Sequence, residues 1–189
     1  GCECDQLAED EPDPDFVDSD CDGVDGTSLR AVFVSLAGDD EQGLGSAEAP
    51  YRSLARGMVL ADSLGVALYV ATGEHVLGPR PLDVSVSIFG GYVHGPDTHR
   101  WRRVGPEQAS TVLRGGEVAL RVRSPARPIV LSHLEVRAAD SEGASSSVAL
   151  HAEDVGDRLE LRRTVLRAGD AGAGQPAEPG LDSRARGVD

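Results

Sequence analysis

The chain has no lysine, so all 18 of its basic residues are arginines, set against 32 carboxylates for a formal charge of −14. A surface built to hold phosphates relies on clustered basic groups, and this balance excludes general nucleic-acid binding. Aromatic residues make up only 4% of the sequence. The core must therefore come from Val, Leu, Ile and Ala, which suits many thin layers better than one large centre. No apolar run reaches the length of about 18 residues that a transmembrane helix needs, so no transmembrane segment is expected. Cysteine is confined to Cys2, Cys4 and Cys21. In an exported protein Cys2 or Cys4 can pair with Cys21, which leaves the third free or pairing between chains. No histidine lies near them to complete a zinc set. The chain opens on Gly1 with no signal-peptide pattern, and reads as a processed or trimmed piece.

What is present is unevenly placed. Eleven carboxylates fall within residues 1–25, which hold no arginine; the other 164 residues carry 21 acids against 18 bases, a net of −3. The acidity thus belongs mainly to a lead-in, residues 1–30, which is expected to be partly disordered. Within it Asp18, Asp20 and Asp22 alternate ahead of Gly23, and Asp25 follows. Alternating carboxylates before a glycine can wrap oxygen ligands around one hard cation, which makes these four aspartates a candidate calcium loop. Counted from Asp18, the twelfth place of an EF-hand loop wants glutamate and holds Leu29. The alternatives are a calcium site of another kind and a solvated acidic linker.

Residues 31–93 organise the rest. An apolar strand over 31–36 is followed by an acidic, glycine-rich loop over 38–46, and Pro50 stands at a plausible first helical turn. Tyr51, Leu54, Ala55, Met58 and Ala61 or Leu60 recur at helical spacing, and Gly65 can end the helix. Strands follow over 66–71 and 84–92. From there to about residue 170 short strands repeat. Residues 130–140 align with 160–170 at an offset of 30, matching Leu131 to Leu161, Val136 to Leu166 and Ala138 to Ala168. Such a period fits one coil of a solenoid. The single helix then reads as a cap on the open first end of the stack. Residues 94–105 are polar. Within them Trp101 covers an apolar edge or stacks on a sugar, the first reading being favoured, and Arg100, Arg102 and Arg103 read as a solvated rim. Residues 171–189, rich in Gly, Ala, Pro and charge, are expected to be flexible.

The stretch VFVSLAGDDEQGLGSAEAPYRSLARGMVLADSLGVALYVATGEH resembles the opening of right-handed parallel β-helix proteins of the pectin-lyase-like fold. It pairs a VxVS strand with a GDDxxGxG loop, a P-Y-x-S-L helix start and a strand, LYVATGEH, similar to the I/V-Y-V-A-x-G-x-Y motif, with His75 in place of the usual final aromatic. SIFGGYVHGPDTHRWRR and RAGDAGAGQPAEPG are similar to segments of a bacterial, often myxobacterial, subgroup of surface proteins. The run from Asp18 resembles the DCDGxD-type repeats of bacterial surface proteins, which imply calcium binding at Asp18, Asp20, Asp22 and Asp25. The likeness implies a mostly β chain: a right-handed parallel β-helix over 31–170 with a short N-terminal capping helix, on the bacterial cell surface or outside the cell.

The expected function is a non-enzymatic scaffold or adhesion module whose partner is a polysaccharide or another cell-surface component. The alternative on the same fold is a polysaccharide lyase, a glycosidase or a carbohydrate-binding module. Glycoside hydrolysis needs two carboxyl groups flanking the scissile bond. The candidates Asp83, Asp97, Glu135, Asp140, Glu153, Asp154 and Asp157 form no repeated pair at coil spacing. His75, His94, His99, His133 and His151 are scattered, and no HExxH, GxSxG or phosphate-binding fingerprint occurs. His94, Asp97 and His99 are close enough in sequence for a metal trio, although solvated loop residues are the simpler reading.

Overall fold

A computed structural model of the chain describes residues 10–173. Cys2, Cys4 and the tail from residue 174 onward lie outside the described residues. The chain is mostly β, with parallel sheets and one α-helix. Its elements are β1 (Ala31–Val34), α1 (Leu54–Leu64), β2 (Ala67–Ala71), β3 (Gly73–Gly78), β4 (Leu82–Asp83), β5 (Ile88–Gly95), β6 (Arg100–Arg103), β7 (Thr111–Gly115), β8 (Val118–Arg123), β9 (Ile129–Ser132), β10 (Leu134–Arg137), β11 (Val148–Glu153), β12 (Leu159–Arg162) and β13 (Val165–Arg167).

From β2 onward the chain deals its strands to three sheets in rotation, with the β5–β6 hairpin as the one interruption. The first sheet runs β1-β2-β5-β9-β12 with β6 on β5, the second β3-β7-β10-β13, and the third β4-β8-β11. Every pairing is parallel except that of β5 with β6. The offset of 30 read from the sequence is the register of the last layer: Leu131 pairs with Leu161, Val136 with Leu166 and Leu120 with Leu150.

Alternation along the strands explains two apolar clusters. Val32, Val34, Leu68, Val70, Ile88 and Leu131 point inward to a core that also takes Leu113, Leu120 and Val136. Residues of the opposite parity, Phe33, Tyr69 and Phe89, point outward from the first sheet and pack with Tyr92, Trp101 and Val24. The Gly90–Gly91 bulge changes the parity of β5, so that Tyr92 pairs with Ala71. A Cβ on Gly90 would lie 2.4 Å from the His133 carbonyl oxygen, so only glycine admits the kink.

The helix begins at Leu54, later than Pro50 suggested, because Ser53 is its N-cap and accepts the Arg56 N–H at 3.3 Å. Residues 50–51 run alongside β1 instead. Ser35 N–H donates to the Tyr51 carbonyl, Tyr51 N–H to that of Phe33, and Phe33 N–H to that of Gly45. The free edge of β1 is thus closed by the loop, while α1 lays Leu54, Gly57, Met58 and Ala61 over the end of the core. Two further differences from the sequence reading share one cause. Residues 73–78 form a strand, and the polar run 94–105 holds half of a hairpin, because each segment is fixed by the neighbour it pairs with, β3 by β7 and β6 by β5, more than by its own apolar content.

Alanine normally favours a helix over glycine by about 0.5–1 kcal/mol. At Gly57, however, a Cβ would lie 2.6 Å from Val34 Cγ2 and 2.8 Å from Leu68 Cδ1. Gly57→Ala is therefore expected to lower stability by roughly 1–3 kcal/mol, as overpacking does, read in urea melts. His75 sits in the core in register with Leu113; its Nε2 donates to the Ala71 carbonyl at 2.8 Å and its Nδ1 has no partner. Burial lowers its pKa. Its contribution to stability is complete above the unfolded value of about 6.5 and is lost as pH falls below it. His75→Leu is expected to flatten the loss of thermal stability between neutral and mildly acidic pH; an unchanged slope would refute this.

Candidate metal centre

Residues 10–30 of the acidic lead-in form a chain of tight turns across the outer face of the first sheet. Asp20 Oδ1 accepts the Asp22 N–H at 3.1 Å, Asp22 Oδ1 the Val24 N–H at 3.0 Å, and Asp13 Oδ1 the Asp15 N–H at 2.6 Å. Each carboxylate thus bends the backbone two residues on, which is what aspartate does in turns. Asp10 is the clasp. Its carbonyl accepts the N–H and hydroxyl of Thr27, and its Oδ2 accepts the Ser19 and Gly26 N–H groups at 3.3 and 2.9 Å. Gly26 has φ +102°, and a Cβ there would meet the Tyr69 hydroxyl.

Asp10, Asp18 and Asp20 each bring one carboxylate oxygen to within 4.8 Å of the other two. Asp10 and Asp20 are only 6% and 7% exposed. Asp18 Oδ2 accepts the Gly23 N–H at 2.9 Å, while its Oδ1 is buried with no donor. Among the described residues no arginine pairs with any of the three. Burial raises the pKa of Asp10 and of Asp20, and neighbouring carboxylates push both further the same way. Uncompensated buried carboxylates take up a proton or bind a cation. Oxygens bound to one calcium ion at about 2.4 Å lie no more than about 4.8 Å apart, so the spacing and the all-oxygen donor set fit a hard divalent ion.

The other two aspartates singled out by the motif have different partners. Both oxygens of Asp22 are occupied, by Val24 N–H and by Ser28 N–H at 2.7 Å. Asp25 is turned inward to Arg103 at 3.0 Å, and their side chains are 3% and 0% exposed. Cys21, between two of the turn-forming aspartates, is disulfide-bonded; its partner lies outside the described residues.

Arg103, expected on a solvated rim, is the anchor of the whole segment. Its Nε donates to the Gly90 carbonyl, Nη1 to the Asp13 carbonyl and to Asp25 Oδ2, and Nη2 to Ser132 Oγ and His133 Nδ1, all between 2.8 and 3.1 Å. The guanidinium lies 5.5–5.6 Å from the centroids of the Phe16, Phe89 and Tyr92 rings. Because arginine only donates, His133 Nδ1 must accept. Burial and the charges of Arg103 and Arg163 push its pKa down to about 4.

The chain matches no protein-family model, no curated protein and no solved structure at a significant level. The site must be read from its own residues. Trp101 is buried and donates from Nε1 to the Ala47 carbonyl at 2.9 Å, and Tyr92 is buried with its hydroxyl on the Asp25 carbonyl at 2.6 Å. Neither ring offers a face to a sugar. His94 stacks on Trp101 and contacts Ser35 Oγ; it does not converge with Asp97 and His99, since the three aspartates are the one such group among the described residues. Of the candidate carboxylates, Asp83 pairs with Arg121, Glu135 with Arg137 and Arg167, and Asp140 accepts the Asp170 N–H. A cleft of about 620 Å³ remains between lead-in and body, lined in part by Pro12, Arg30, Phe89, Arg127 and Arg162.

Breaking a buried ion pair from one side costs about 3–5 kcal/mol. Asp25→Asn and Arg103→Met are each expected to lose that much in urea melts and to expose the amides of residues 10–30 to hydrogen exchange. Arg103→Lys is expected not to rescue, because an ammonium cannot supply five planar donors.

Proposed function

We propose that this chain is an extracellular or cell-surface scaffold or adhesion module, folded as a right-handed parallel β-helix with an N-terminal cap. In this reading a divalent cation, calcium, fastens its lead-in to the first coils. Three sheets served in rotation, and a 30-residue register over the last layer, support the β-helix reading. The non-enzymatic reading is supported by three of the seven candidate carboxylates, Asp83, Glu135 and Asp140, being tied to arginines or to backbone. The observation that carries the cation-dependent reading is the Asp10–Asp18–Asp20 cluster, with its buried, donor-free Asp18 Oδ1. A disulfide at Cys21 suits the oxidising exterior of a cell.

One observation favours the second reading, a carbohydrate-binding or carbohydrate-cleaving module: the cleft beside the lead-in, lined by Arg30, Arg127 and Arg162 and by the carboxylates of Asp10, Glu11 and Glu160. Incubation with uronate-rich polysaccharides, followed by reducing ends, unsaturated products and binding, separates the two.

Calcium titrated into the chelated protein is expected to give a calorimetric signal and to protect residues 10–30 from hydrogen exchange, leaving β7–β13 unchanged. Asp10→Asn and Asp20→Asn should abolish that response. The raised carboxyl pKa values set the pH dependence. Without the ion, the cluster favours the folded state below the unfolded aspartate value of about 3.9 and loses that support as pH rises through the raised values. The protection given by calcium should therefore grow from acid to neutral pH. No heat, together with identical melts in calcium and chelator, would end the cation claim.

A further inference from the structure

One donor of Arg103 lies on a chemically distinctive peptide bond. Nη1 donates at 3.1 Å to the carbonyl oxygen of Asp13, and the residue that follows is Pro14, in the one Asp–Pro pair of the sequence. Asp13 is fixed from its other side as well, its N–H donating to Asp25 Oδ1 at 3.1 Å. Asp25 Oδ2 lies 3.0 Å from the same Nη1, and the arginine side chain is 0% exposed. The Asp13 carboxyl is folded alongside the bond to Pro14, because its Oδ1 accepts the Asp15 N–H at 2.6 Å. Downstream, the Pro14 carbonyl accepts Arg163 Nη1 at 3.3 Å and the Phe16 ring meets His133 edge-on. Upstream, Asp10 is held by Thr27, Ser19 and Gly26.

We propose that the chain cuts itself between Asp13 and Pro14, with the Asp13 carboxyl as nucleophile and Arg103 stabilising the oxyanion that develops. A carboxyl oxygen of Asp13 bonds to that residue's own main-chain carbonyl carbon, and the carbonyl oxygen gains negative charge beside Nη1. The bond from that carbon to the Pro14 nitrogen then breaks. The carboxyl proton passes to the nitrogen, which leaves as a secondary amine. Water opens the cyclic anhydride left on Asp13, giving two carboxyl groups. Three features favour this step over the same chemistry in a free chain. The nucleophile is held beside the reacting carbon. A fixed cationic donor, shielded from water, stabilises an oxyanion better than solvent does. The proline amide has no N–H, so its departure breaks no backbone hydrogen bond. Both flanks of the bond keep the contacts described above after the cut, so the product is a two-chain form of the same fold.

The full chain, incubated in mildly acidic buffer and then reduced and denatured for mass spectrometry, is expected to yield one fragment ending at Asp13 and one beginning at Pro14. The cut should form about 100-fold faster in the folded protein than in the same buffer with urea, the effect of one oxyanion donor. The acid lability of an Asp–Pro bond by itself predicts no advantage for the folded state. Asp13→Ala should abolish the cut and Pro14→Ala should slow it; both variants keep the main-chain groups that Asp25 and Arg103 bind. Arg103→Lys should bring the folded rate down to the rate in urea. The cut protein should keep the far-ultraviolet spectrum of the intact chain. No fragment in either state, a cut at another bond, or a folded rate no higher than that in urea would overturn the proposal. Undiminished cutting in Asp13→Ala would overturn it as well.

Discussion

A buried guanidinium with all five donors satisfied holds the first half of this molecule together. Arg103 receives an acceptor from the lead-in backbone, one from a lead-in carboxylate, one from the bulge in β5, and two from the turn between the first and second sheets. A lone buried arginine would be prohibitively costly to desolvate. This one is stable where it is because its planar fork meets five fixed acceptors and three ring faces. The arrangement fastens the lead-in over the sheet, and so turns the sheet's outer surface into a second apolar interior. Five of the chain's seven aromatic residues, Phe33, Tyr69, Phe89, Tyr92 and Trp101, are spent there. The inner core is left to aliphatic side chains, with Tyr51 as its only aromatic.

Much of the layering was legible in the sequence. The match of 130–140 to 160–170 is the hydrogen-bonded register itself, and Glu135 faces out opposite Val165 as alternation requires. Leu54 and Met58 are buried, as the helical spacing implied. Propensity was silent on the partners of Arg103. Three adjacent or near-adjacent arginines look like a rim, and only the β5–β6 hairpin, whose alternation turns Trp101 and Arg103 inward and Arg100 and Arg102 outward, separates them. Asp10 was hidden for a related reason. It lies eight positions before Asp18 in a run of acids and prolines, and it joins Asp18 and Asp20 only through a loop closed by Thr27 and Gly26. The alternation Asp18-Asp20-Asp22 did mark a structural feature. The spacing that invites a cation is also the spacing of successive aspartate turns, and both oxygens of Asp22 serve the backbone, accepting the Val24 and Ser28 N–H groups.

The fate of the acidic charge separates two ways of burying it. Asp25 enters the interior against an arginine, and the pair is neutral without help. Asp10, Asp18 and Asp20 enter together with backbone N–H donors but, among the described residues, no base. Backbone donors ease the desolvation of a carboxylate but do not cancel three like charges within one coordination sphere. Among the described residues no second arginine reaches the three carboxylates, and in the reading proposed above the grip of the lead-in then depends on what the surroundings supply, protons in acid or a divalent ion at neutral pH. In that proposed reading Arg103 and the aspartate cluster act on the same segment in different ways, one fixing where it lies and the other setting the conditions under which it stays.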